Sequence, residues 1–174
     1  LHEGRHLLQA AQDLEARVKR VATGVETELS IALSDVLPIE PLFSLIDEFY
    51  TLGFGTRIKV LQEVYGGTWD ALVAGRAEIS AGIPGDAPTS GGFSVKPMGI
   101  LPFVFAVAPT HPLASIDRPL QNQDIIQYRS ISAADSSRNL PPRTSGILTG
   151  QDVLTVANMI SKVKAQINGL GVGY

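Results

Sequence analysis

The sequence predicts an α/β fold of two lobes led by an N-terminal helix, and three observations predict it. Stretches with apolar residues at alternate positions are interleaved with stretches that repeat every three to four residues. A loop rich in Gly, Pro, Ser and Thr, Pro84 to Gly92, divides the chain into halves that each mix strands and helices. The first segment carries an apolar stripe that continues into none of these elements.

The composition permits such a fold. The 174 residues are 44% apolar and 18% charged, enough to bury a core and too apolar for general disorder. A net charge of -3 gives no sign of a nucleic-acid binder in its own right. With no cysteine, disulfides, thiolate catalysis and Cys-based metal centres are excluded. No apolar run is long enough to span a membrane, and no membrane partner is expected. Leu1-His2-Glu3-Gly4-Arg5 has neither a starting methionine nor the pattern of a signal peptide. The expectation is a fragment or a processed product.

The leading segment, to about Thr23, reads as a helix. Leu7, Ala11, Leu14, Val18 and Val21 follow the spacing of an a/d seam, which either packs on another chain or lies on its own domain. Gln12, Asp13, Glu15, Arg17, Lys19 and Arg20 form its solvated side. A strand with Leu29, Ile31 and Leu33 follows. Pro38 then suits the first turn of a helix presenting Leu42, Leu45, Ile46 and Phe49 and stopping near Gly53. Residues 57–61 read as the second strand. Thr68 reads as the N-cap of a short helix with Trp69, Leu72 and Val73, ended by Gly75. Ile79, Ala81 and Ile83 make a third strand. The order strand, helix, strand, helix, strand implies a parallel sheet with right-handed crossovers.

In the second half, the run Ile100 to Ala108 reads as a buried central strand. A short helix is predicted over Gln121 to Ile126 and a strand over Tyr128 to Ser132, with another strand at Gly146-Ile147-Leu148. The last helix is predicted from near Gln151, with Val153, Val156, Ala157, Ile160, Val163 and Ile167 on one face. Gly169 to Tyr174 ends it and begins a strand.

Little in the chain suggests catalysis. His2 and His6 are one helical turn apart but lack a third ligand, and His111 before Pro112 reads as a turn cap. Gly66-Gly67 before a helix could attract an anion, yet no phosphate-loop or dinucleotide signature accompanies it. Gly169-x-Gly171-x-Gly173 follows a helix, the wrong polarity for a dinucleotide. Asp35 stands at a strand–helix junction, as a helix cap or a ligand contact. Ligands of parallel sheets bind beyond the carboxyl ends of the strands, which here means Ser34 and Asp35, Glu63 and Val64, and Gly82, Ile83 and Pro84.

At these residues a family resemblance enters. The leading helix, LSIALSDVLP, ALVAGRAEISAGI at 71–83, FVFAVAPTHPLA at 103–114 and GLGVGY at 169–174, in that order, resemble the linker helix and effector-binding domain of LysR-type transcriptional regulators, YhaJ-like members in particular. The resemblance covers essentially the whole chain. It implies two Rossmann-like lobes resembling type 2 periplasmic binding proteins. Residues 1–25 would be a linker and dimerisation helix and 26–174 the effector-binding domain, with lobes at about 26–90 and 91–174. The implied effector site is Ser34, Asp35, Val36, Leu37, Glu63, Val64, Gly82, Ile83, Pro84, Ser132 and Ala133. The implied partners are a small-molecule effector, a second copy in a homodimer or homotetramer, and DNA through a winged helix-turn-helix that lies outside these residues. A C-terminal return into the first lobe is also expected outside them. No cofactor or metal is implied, and the cytoplasm is the expected compartment.

A transporter's solute-binding protein would share the lobes; it is the alternative and needs an export signal. An enzyme is not expected, because no base stands beside a nucleophile. The effector is not legible: Ser34 and its apolar neighbours fit a small carboxylate or aromatic acid, but no arginine stands in the predicted pocket.

Overall fold

The computed structural model describes residues 4, 7, 8, 10, 11, 14, 15, 18, 21, 22, 24–85 and 92–174. Every described residue from 4 to 22 is helical. The seam residues Leu7, Leu14, Val18 and Val21 are 73%, 62%, 61% and 89% exposed, and Ala11 is exposed as well. The stripe therefore does not lie on the rest of this chain. His2 and His6, and all of the expected solvated side except Glu15, lie outside the described residues.

The first sheet is built from β1 (Glu28–Ser34), β2 (Arg57–Glu63) and β3 (Ile79–Ala81), in the order β2-β1-β3 with all pairs parallel. Helix α1 (Glu40–Thr51) connects β1 to β2, and α2 (Gly67–Val73) connects β2 to β3. As the central strand, β1 is buried on both faces from Ser30 to Ser34. Register pairs Ser34 with Glu63 and Leu33 with Ala81, so the three carboxyl ends meet along one edge. Ala32, Ala71 and Ala77 are small enough to let α2 lie close to the sheet, with Leu61 packed against them. Trp69 is 1% exposed. Burying an indole of about 150–250 Å² contributes roughly 4–6 kcal/mol.

Several local expectations fail here for identifiable reasons. Ile83 lies beyond β3, because Gly82 turns the chain with φ +75°. Pro41, not Pro38, occupies the first turn of α1. Of the expected α1 face, Leu42, Ile46 and Phe49 are half-buried and Leu45 is exposed. Thr68 is not the N-cap of α2. Gly66 is, and the fully buried Thr68 hydroxyl instead donates to the Tyr65 carbonyl at 2.9 Å.

The second sheet pairs β4 (Ser130–Ala133) with β5 (Val153–Val156) in parallel. The glycine-rich end joins it: Ile131 N–H donates to Val172 O and Val172 N–H to Arg129 O, both at 2.8 Å. Gly173 bridges Ala106 antiparallel. A second core gathers Leu113, Ile125 and Val172 with Phe105, Val107, Tyr128 and Leu148 around them. Helix α3 (Asn122–Ile125) begins on a capping box between Gln121 and Asp124.

Three expectations in this half are overturned. The run Ile100 to Ala108 is no central strand: only Ala106 bridges, and Ile100 and Val104 are 97% and 72% exposed. Its later half, with Phe105 and Val107, supplies the core contact instead. Residues 146–148 form no strand. The predicted long helix from Gln151 is two elements, β5 and α4 (Met159–Ile167). Branched Val153, Thr155 and Val156 favour the strand, and the Asn158 side chain starts the helix by accepting Ser161 N–H at 2.8 Å. Ile160, Val163 and Ile167 are exposed, while Lys162, Ala165 and Gln166 form the buried face of α4.

Candidate ligand-binding cleft

The edge where the first sheet ends faces the second half across a cleft of about 1340 Å³. Ser34, Val36 and Leu37 follow β1 and Gly82, Ile83 and Pro84 follow β3; all six line it. Their convergence depends on Gly82. A β-carbon there would sit 2.6 Å from Leu37 Cδ1 and 2.9 Å from Ser34 Cβ, so only glycine lets these two loops meet.

The other five predicted residues are not on the cleft lining. Ser132 and Ala133 are 2% and 1% exposed within β4. Asp35 faces α4: Oδ2 accepts Met159 N–H at 2.7 Å, capping a helix 124 residues away rather than the one that follows it. Burial pushes its carboxyl pKa up, against the lowering effect of that backbone bond, and Oδ1 has no partner. Glu63 and Val64 are engaged by Ser136, whose hydroxyl donates to Glu63 Oε2 and accepts Val64 N–H at 2.8 Å.

Ser136 belongs to a clasp between the two halves, none of whose residues lines the cleft. Arg76 bridges Glu63 and Asp70, and Asp70 Oδ1 accepts Asn139 N–H and Leu140 N–H. Burial raises the Asp70 pKa less than those backbone donors and Arg76 lower it, so it lies below the usual carboxylate range. Asp135 Oδ2 accepts Gly66 N–H at 3.1 Å, so the chain's own carboxylate occupies the position before α2 where an anion could have been attracted. His111 does cap: Nδ1 accepts Leu113 N–H at 3.2 Å, and burial pushes the imidazole pKa down. Among the described residues, no group of three or more His, Cys, Asp or Glu side chains is placed to hold a metal.

The cleft also contains residues that sequence reasoning missed. Tyr65 lines it in a left-handed conformation, φ 48°, that no sequence pattern announces. Lys162 lines it while only 3% exposed, and Arg143, whose Nη1 donates to Pro84 O at 3.3 Å, also lines it, against the expectation of a pocket without arginine. Treating α4 as a helix with an apolar buried face hid that lysine. The sign that could have revealed it is the reversed amphipathicity after the Asn158 cap.

The LysR substrate binding domain model matches residues 22–174. The uncharacterized HTH-type transcriptional regulator YeeY of Escherichia coli K12 is 39% identical over 174 residues, 100% of this chain and 56% of that protein. The HTH-type transcriptional regulator PunR of the same strain is 31% identical over 173 residues, 99% of this chain and 56% of PunR. The probable HTH-type transcriptional regulator YhaJ, also of E. coli K12, is 33% identical over 172 residues, 99% of this chain and 57% of YhaJ. The chain thus spans a little over half the length of these relatives.

Proposed function

The chain belongs to the LysR substrate-binding domain family, and from that premise we propose that it senses a small effector for a DNA-binding transcriptional regulator. The observation that carries the reading is the cleft, walled by the β1 and β3 loops on one side and by α4 residue Lys162 on the other. The comparisons give no support to a transporter's solute-binding protein. The reading assigns the chain no catalytic step.

The proposed effector contacts are Ser34, Val36, Leu37, Gly82, Ile83 and Pro84, which line the cleft. Asp35, Glu63, Val64, Ser132 and Ala133 act behind it. Residues 1–25 serve as the connector, pairing two copies through the exposed seam. The assembled regulator would read DNA through a winged helix-turn-helix in the cytoplasm. An effector that prefers one arrangement of the lobes shifts their population, and the paired connectors carry that shift to the DNA-reading heads.

The test is a thermal-shift screen of small acids, neutral aromatics and nucleosides, with Ser34→Ala as the control. A binder raises Tm, and Ser34→Ala weakens the rise while leaving the ligand-free Tm unchanged. Protection that Ser34→Ala leaves intact counts against the placement of the site. No protection by any class counts against sensing itself.

A further inference from the structure

Lys162 combines features that the fold alone does not require. It lies on the buried face of α4 and is 3% exposed, yet it lines the cleft. Its stem passes Gly173: a β-carbon at that glycine would come within 3.8 Å of Lys162 Cε. No ion pair or side-chain hydrogen bond satisfies its ammonium among the described residues. Burial pushes its pKa down, and no neighbouring carboxylate opposes the shift. Asp35, near the start of the same helix, gives Oδ2 to Met159 N–H. Glu78, on the same cleft, gives Oε2 to Ser30 N–H at 2.7 Å.

An ammonium drawn partly out of water without a counter-charge is costly, and a ligand that supplies the charge lowers that cost. Two lining residues also carry unpartnered donors buried just behind the cleft surface, the Trp69 indole N–H and the Ser80 hydroxyl. Leu37, Ile83 and Phe93 give the same space an apolar wall. We propose that Lys162 is the anion subsite of the cleft and that the ligand is a small organic acid, its carboxylate on Lys162 and its apolar body against that wall. This rests on the effector-binding reading above and names the class of effector.

The experiment uses the full chain with benzoate, phenylacetate and isovalerate, each paired with its neutral amide, and with inorganic sulfate as an ion control. The expected result is that at least one carboxylate raises Tm and its amide does not. Lys162→Met should weaken that carboxylate at least tenfold, and Lys162→Arg should retain part of the response. Lys162→Met should also raise the ligand-free Tm, because it keeps the buried stem apolar and removes a partly desolvated charge that has no protein counter-ion. A fall in that Tm would mark Lys162 as structural and overturn the proposal. Equal protection by acid and amide, equal protection by sulfate, or carboxylate binding unchanged in Lys162→Met each overturns it as well. Nucleosides or amides that bind independently of Lys162 would sink the anion subsite while leaving effector sensing standing.

Discussion

Asp70 Oδ1 accepts the backbone N–H of Asn139 at 2.8 Å, joining the helix after β2 to the loop after β4 across 69 residues of chain. The same oxygen takes Leu140 N–H at 3.0 Å, and Oδ2 takes Arg76 at 3.0 Å. With Asp70 1% exposed, this is a buried charge whose partners come from both halves of the molecule.

Removing that carboxylate leaves Arg76 with Glu63 alone and two backbone donors unpaired. Breaking a buried pair from one side costs about 3–5 kcal/mol. Asp70→Ala should therefore lower stability by about 3 kcal/mol, a fall in Tm of roughly 6–12 °C for a chain of this size. Calorimetry checks it. A loss below about 1 kcal/mol would mean that the loop at 139–140 is held by other contacts.

The same residue sets an acid limit. Its folded pKa lies below the ordinary 3.8, so the folded state binds its proton less readily than the unfolded chain does. The resulting stability is fully present above the unfolded value and is lost as pH falls through the folded one. The part of the urea midpoint that Asp70 supplies should stay level above about pH 5 and fall below about pH 4, and Asp70→Asn should remove that part of the fall. An equally steep acid fall in Asp70→Asn would assign the effect to other carboxylates.

The first sheet was legible because central β1 and its neighbours carry apolar residues at a clear two-residue period, and proline and glycine mark the helix ends. The second half was harder, for physical reasons. Ile100 to Ala108 has the composition of a buried strand, but its first residues are exposed and it makes a single bridge. Residues 153–167 keep an apolar pattern across a strand–helix junction, and only Asn158 separates the two. In the cleft, the residues after β1 and β3 followed from the rule about strand ends. Lys162 did not, because the apolar face read across residues 153–167 masked the reversed amphipathicity that begins after Asn158. The clasp of Glu63, Asp70, Arg76 and Ser136 depends on pairs far apart in sequence, which one chain read alone does not reveal.

Gly67 tests the seating of that clasp. A β-carbon there would lie 1.9 Å from Ser136 Oγ and 2.7 Å from Glu63 Oε2. Gly67→Ala should cost about 1–3 kcal/mol by overpacking. Ser136→Gly, which removes the nearer clash and leaves that with Glu63, should recover part of that loss in the double variant. Additive losses in urea denaturation would show that Gly67 is needed for reasons other than contact with Ser136.

Asp35 should respond oppositely to two substitutions. Its pKa is raised, so its ionisation subtracts stability as pH rises from 3.8 through the folded value, and the deficit persists at neutral pH. Asp35→Asn removes the charge and keeps an acceptor for Met159 N–H. It should stabilise the chain by about 1 kcal/mol at pH 7, with the gain vanishing in acid. Asp35→Ala loses the cap as well and should cost about 1 kcal/mol. If Asn destabilises at pH 7, the carboxylate is better compensated there than its single backbone partner indicates.

The leading helix separates association from folding. Leu14 and Val18 are mostly exposed, so replacing both with Glu removes little buried surface within the described part of the chain. Surface changes of this kind shift stability by about 0.5 kcal/mol or less. In a paired helix the same changes place four carboxylates along one apolar seam, where burial and mutual repulsion oppose association. The wild-type chain should therefore run as a dimer or larger species in size-exclusion chromatography with light scattering. The double variant should dissociate at concentrations at least tenfold higher, with Tm measured on the monomer unchanged. A wild-type chain that stays monomeric at about 100 μM, where pairs of micromolar affinity are already formed, would remove the seam from the signalling route. The cleft would then have to act through another surface.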